Sequence, residues 1–120
     1  MRKSRILVIE DHEVTRKNLA AVLQQEGFDV VIAATGEEAL SLLAERFDLV
    51  LTDLVLPQVQ GSDIVAHIKK ETPEIPVIVM TATGTEENWT AMQAGGATAF
   101  ITKPFDLGLL VSCVRAALPQ

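Results

Sequence analysis

Arg5-Ile6-Leu7-Val8-Ile9-Glu10-Asp11 carries four consecutive apolar residues that stop abruptly at two acids. A short apolar run without polar alternation, rich in β-branched residues, describes a strand covered on both faces. The pattern recurs at Val30-Val31-Ile32-Ala33, Leu49-Val50-Leu51 and Val77-Ile78-Val79-Met80, and more faintly at Ala99-Phe100-Ile101. Segments with helical spacing lie between these runs. Leu19, Val22 and Leu23 share a face, as do Ala39, Leu40 and Leu43, then Ile64, Val65 and Ile68. In the last segment Leu107, Leu110, Val111, Val114 and Leu118 form one stripe. Gly27 ends the first helix, Thr35 with Glu38 reads as a capping box, and Thr72-Pro73 closes the third helix. Strand and helix thus alternate five times, which predicts an α/β fold, a doubly wound parallel sheet with helices on both faces.

Composition narrows what such a domain does. In 120 residues, 48% are hydrophobic and 22% charged, the balance of one ordinary globular domain. Ten basic against sixteen acidic side chains leave a net charge of −6, which disfavours nucleic-acid backbones and anionic membranes as partners. The single Cys113 excludes an intrachain disulfide and a multi-cysteine zinc site, and points to a reducing cytoplasm. Met1 to Arg5 is basic, but the apolar run behind it is too short for a signal peptide. No stretch approaches the roughly 20 apolar residues of a membrane span.

In an open parallel sheet, ligands collect beyond the carboxyl ends of the strands. Glu10 and Asp11 follow the first run, Thr52 and Asp53 the third, Thr81 the fourth, and Thr102 and Lys103 the fifth. Each alone reads as a solvated turn or cap residue. Together they bring carboxylates, a hydroxyl and an ammonium to one rim. Like charges at ~4 Å repel by roughly 4 kcal/mol at an effective dielectric of 20, so three gathered acids need compensating cations. Lys103 supplies one charge, and an all-oxygen donor set favours a hard ion, Mg²⁺, for the rest. Such a site suits phosphoryl chemistry. Asp53 is the best-placed nucleophile, because an ionised carboxylate attacks phosphorus to form an acyl phosphate.

From Arg5 to Leu118 the chain resembles the receiver domain of two-component response regulators. The resemblance rests on Glu10-Asp11, on Asp53 with Pro57 and Gly61 behind it, on Thr81-Ala82, Ala94-Gly95 and Phe100-Ile101-Thr102-Lys103-Pro104-Phe105. It implies a flavodoxin-like sheet in the order 2-1-3-4-5 with five helices, spanning 1–120 as one receiver domain. It further implies that Asp53 accepts a phosphoryl group from a sensor histidine kinase. Mg²⁺ would be held by Asp11, Asp53 and the Val55 backbone carbonyl, with Glu10 acting through a water. Lys103 pairs with the phosphoryl group, Thr81 and Phe100 form the switch pair, and the fourth helix, fifth strand and fifth helix form the signalling surface. The same resemblance implies a signal carrier rather than a turnover enzyme, an output partner or domain of transcriptional type, a homodimer on phosphorylation, and no direct contact with nucleic acid.

The sequence also departs from that family. Glu10 stands where aspartate is commoner, Gln58 and Gln60 where Asn and Asp are, and Phe100 replaces a frequent tyrosine. Val55 and Thr83 fall at positions that tune acyl-phosphate lifetime in relatives. Trp89 and Met92 read as packing against the sheet or as a partner anchor, His12 reads as a residue of the first turn of a helix rather than a ligand, and His67 and Cys113 read as structural. Three other readings fit less well. An aspartate-nucleophile phosphatase needs an Asp-x-Asp motif after the first strand, and a flavodoxin needs a glycine- and hydroxyl-rich phosphate loop there. A non-phosphorylated adaptor would not need Asp11, Asp53, Thr81 and Lys103 all present.

Overall fold

Side chains alternate across a strand, so an all-apolar strand needs a helical layer on each side. A computed structural model describes residues 3–82 and 86–118, the side chains of 86–88 aside. Its elements run β1 (Arg5–Ile9), α1 (Glu13–Gln25), β2 (Asp29–Ala33), α2 (Gly36–Leu42), β3 (Leu49–Asp53), α3 (Gly61–Glu71), β4 (Val77–Thr81), α4 (Glu86–Ala94), β5 (Ala99–Thr102) and α5 (Leu107–Ala117). All pairings are parallel, as the alternation predicts, and the sheet order is β2-β1-β3-β4-β5, as the family resemblance implies.

Two apolar layers sandwich the sheet. Leu7, Ile9, Val50, Val77 and Val79 face α2 and α3 through Ala39, Ile64, Val65 and Ile68. Their strand neighbours Ile6, Val8, Leu49, Leu51, Ile78 and Met80 face α1 and α5 through Leu19, Leu23, Leu110, Val111 and Val114. Full cover on both faces holds for β1, β3 and β4 but not for the two edge strands. Ile32 in β2 is 40% exposed, and in β5 only Ile101 is buried. An edge strand has a neighbour on one side only, and a helix spans too little width to close over it.

The helix ends follow the local chemistry. Thr35 Oγ1 accepts from the Glu38 N–H at 3.1 Å, and Gly27 follows α1 with a φ of +94° that suits glycine. His12 is the N-cap of α1, not a residue of its first turn; its Nδ1 lies 2.8 Å from the Thr15 hydroxyl. Leu107 leaves the expected stripe of α5. It is the first helical residue, beside the Asp106 cap, and is 37% exposed. Among the described residues no helix is long and apolar enough to cross a membrane.

Candidate functional site

Register and pleat together determine which side chains meet at the carboxyl rim. Ile9 pairs with Thr52, so Glu10 comes level with Asp53 on the neighbouring strand. Glu10 continues the row of Ile6 and Val8, and Asp53 the row of Leu49 and Leu51, so both carboxylates lie toward the α1/α5 side. Lys103 follows β5, its N–H donating to the Thr81 carbonyl at 2.7 Å. Its long side chain then spans the end of β4 to reach both acids. Nζ donates to Glu10 Oε1 at 2.8 Å and to Asp53 Oδ2 at 2.9 Å.

Asp11 completes the cluster. One carboxylate oxygen from each of Glu10, Asp11 and Asp53 lies within 4.8 Å of the others. Glu10 is fully buried, Asp53 nearly so, and Asp11 is exposed. The Asp53 Oδ1 accepts from the Val55 N–H at 3.4 Å. Glu10 Oε2 is buried without a hydrogen-bond partner, a costly condition for a carboxylate oxygen.

Charge follows from this crowding. Burial above all, with the neighbouring Asp53 carboxylate, pushes the Glu10 carboxyl up to about 7; Lys103 pulls the other way without prevailing. Burial alone would lower the Lys103 ammonium, but its bonds and attraction to Glu10 and Asp53 hold it above its ordinary value. The donor set is oxygen throughout, half-open to solvent through Asp11, with one buried oxygen lacking a donor. That is the chemistry of a hard-cation site.

Thr81 is buried at the end of β4, and its place in the pleat puts it with Val77 and Val79 on the α2/α3 side. Phe100 pairs in register with Val79 and packs on that same side, one step below Thr81. The Phe100 ring stacks on Trp89 of α4, centroids 4.7 Å apart and planes within 14°. Trp89 therefore packs on β5, while Met92 packs on the core. Thr83 lies outside the described residues.

Three residues have supporting roles that were not read from the sequence. Arg16 Nη1 donates to the Glu10 carbonyl at 3.0 Å and to that of Asp11 at 3.4 Å, tying the acidic loop to α1. Gln60 bonds back onto the loop after Asp53. Gly61, noted only as a landmark, is required sterically: a Cβ there would strike the Asp53 carbonyl and come within 2.8 Å of Leu54 Cα. An arginine four residues into a helix is an ordinary surface residue by pattern, so only Gly61, as a landmark, and Gln60, as a departure from the family, left a sequence signal.

The family model described as response regulator receiver domain matches residues 6–115. The chain is a response regulator receiver domain. The alkaline phosphatase synthesis transcriptional regulatory protein SphR of Synechococcus elongatus is 39% identical over 125 residues, covering 96% of this chain and 49% of SphR. A receiver domain from Methanospirillum hungatei superposes with a TM-score of 0.91 at 30% identity, over 96% of this chain and 93% of that one. The response regulator TrrA of Thermotoga maritima, crystallised with Mg²⁺-BeF, matches with a TM-score of 0.86 at 29% identity, over 96% and 99% of the two chains. This receiver domain spans about half the length of curated relatives such as SphR.

Proposed function

We propose that this receiver domain accepts a phosphoryl group on Asp53 from the phosphohistidine of a sensor histidine kinase. An Asp53 carboxylate oxygen forms the bond to phosphorus. The phosphorus–nitrogen bond of the donor breaks, and its electron pair leaves with the imidazole. Asp11, Asp53 and the Val55 carbonyl would hold Mg²⁺, with Glu10 contributing through a water. The cation supplies neutralisation of the phosphoryl oxygens as charge gathers there. The observation that carries the proposal is the Lys103 ammonium bridging Glu10 and Asp53 with Asp11 alongside. The Mg²⁺-BeF complex of TrrA supports the same assignment.

Lys103 and Thr81 do the work after transfer. A phosphoryl group brings more negative charge and more acceptor oxygens than the carboxylate it modifies. Lys103 turns from Glu10 toward those oxygens, and the Thr81 hydroxyl donates to them. Movement of Thr81 opens space beside Phe100 on the same sheet face. Phe100 enters it by leaving the Trp89 stack, and α4 shifts relative to β5. The result is a change in population between two packings of the α4-β5-α5 surface.

The output is then a partner or attached domain of transcriptional type, in keeping with SphR, and phosphorylation favours a homodimer through that surface. The domain itself contacts no nucleic acid, turns over no substrate, and works in the cytoplasm. The test is phosphoryl uptake from acetyl phosphate, followed by intact mass. Uptake that needs Mg²⁺ and vanishes in Asp53→Ala supports the proposal. Undiminished uptake in Asp53→Ala, or none in the unaltered protein, overturns it.

A further inference from the structure

Between Asp53 and α3 the chain buries Leu56 against the core while leaving Val55 65% exposed. Burial of Leu56 takes its own N–H and carbonyl out of water, in a loop with no ladder to pair them. The Gln60 side-chain amide serves both groups. Its Nε2 donates to the Leu56 carbonyl at 2.8 Å, and its Oε1 accepts from the Leu56 N–H at 3.4 Å. Gln60 is held in turn: its N–H donates to Asp63 Oδ2 at 2.9 Å in the first turn of α3. Gln58 reverses the chain between them with a φ of +63°.

The Leu56 N–H and the Val55 carbonyl belong to one planar trans peptide and point in opposite directions. Whatever holds the N–H therefore aims the carbonyl. We infer that Gln60 is a positioning residue for the metal site, setting the orientation of the Val55 carbonyl through the peptide it shares with Leu56. The inference rests on the proposed role of that carbonyl as a Mg²⁺ ligand. Gln60 touches neither the cation nor the phosphoryl group. An aspartate or asparagine here is one methylene shorter and does not span the same gap, so this chain has its own way of presenting the ligand.

Calorimetric Mg²⁺ titration of the unaltered protein, Gln60→Met and Gln60→Glu tests this. Methionine keeps the bulk and loses both amide contacts; glutamate keeps an oxygen for the Leu56 N–H but loses the donor to the Leu56 carbonyl. Gln60→Met is expected to weaken Mg²⁺ binding about fivefold, the net worth of one neutral hydrogen bond, and Gln60→Glu to weaken it less. Melting temperatures with and without Mg²⁺ separate positioning from bulk structure. A merely structural residue lowers both equally, whereas a positioning residue also shrinks the rise that Mg²⁺ produces. Equal Mg²⁺ affinity in all three proteins, or equal weakening in both variants, overturns the inference alone. Failure of the unaltered protein to bind Mg²⁺ overturns the proposed function with it. If Gln60→Met does not fold, hydrogen exchange at the Leu56 amide of the unaltered protein decides: protection supports the inference and free exchange overturns it.

Discussion

Replacing Lys103 with methionine keeps the aliphatic stem and deletes the charge that holds two acids together. In Mg²⁺-free buffer the lost contacts are those to Glu10 at 2.8 Å and Asp53 at 2.9 Å. Each is worth about 6 kcal/mol of Coulomb energy at an effective dielectric of 20, before desolvation returns most of it. The three side chains are 24%, 0% and 11% exposed, so solvent screens the cluster little. Breaking a buried pair by removing one partner costs about 3–5 kcal/mol, and the partial exposure of Lys103 places this case near 3. Acidity changes that figure. The Glu10 carboxyl is raised from 4.5 to about 7, so its burial favours folding least above pH 7 and stops opposing it below 4.5. The raised Lys103 titrates above this window and contributes equally across it. At pH 8.5 the variant leaves two facing anions; at pH 5.5 Glu10 is largely neutral and about half the loss remains. Urea unfolding in EDTA, followed by Trp89 fluorescence and circular dichroism at both pH values, reads the difference. A loss below about 1 kcal/mol at pH 8.5, smaller than any broken buried pair, refutes the electrostatic reasoning, as does an equal loss at both pH values.

Other expectations follow from the same geometry. Mg²⁺ binding is expected to tighten as pH rises through about 7, because the cation site needs the Glu10 carboxyl ionised; calorimetry across pH 5.5 to 8.5 should show up to tenfold change per unit below the midpoint. Gly61→Ala is expected to cost roughly 1–3 kcal/mol by overpacking, in urea unfolding, and to slow phosphoryl uptake, because the added methyl strikes the Asp53 carbonyl. Trp89→Leu removes an aromatic stack worth about 0.5–1.5 kcal/mol that holds Phe100 in place, so it should raise beryllofluoride affinity about two- to tenfold in a Mg²⁺-dependent titration.

The apolar runs gave the strands away because β1, β3 and β4 are covered on both faces. That same cover hid the site's finer geometry. With no polar residue alternating along Ile6 to Ile9, nothing in the pattern said which face Glu10 or Asp11 would join. The pleat carries Glu10 into full burial against Lys103 and leaves Asp11 exposed. Which acids share a rim was legible from their place after each run, since strand ends converge in a parallel sheet. The roles of Gln60 and Arg16 were not legible, because both act through long side chains on backbone groups several residues away. Such contacts depend on how a loop closes, which spacing alone does not encode. The exposure of Ile32 and Leu107 escaped for a different reason: an apolar residue at an edge or helix start carries the same letter as one in the core.

The most direct test traps the modified residue itself. Borohydride reduction of the protein after acetyl phosphate treatment converts an aspartyl phosphate to homoserine, which tandem mass spectrometry locates by position. Homoserine at position 53 alone, formed only with Mg²⁺ present, is the expected result. Homoserine at position 11, or at position 53 without any need for Mg²⁺, contradicts it.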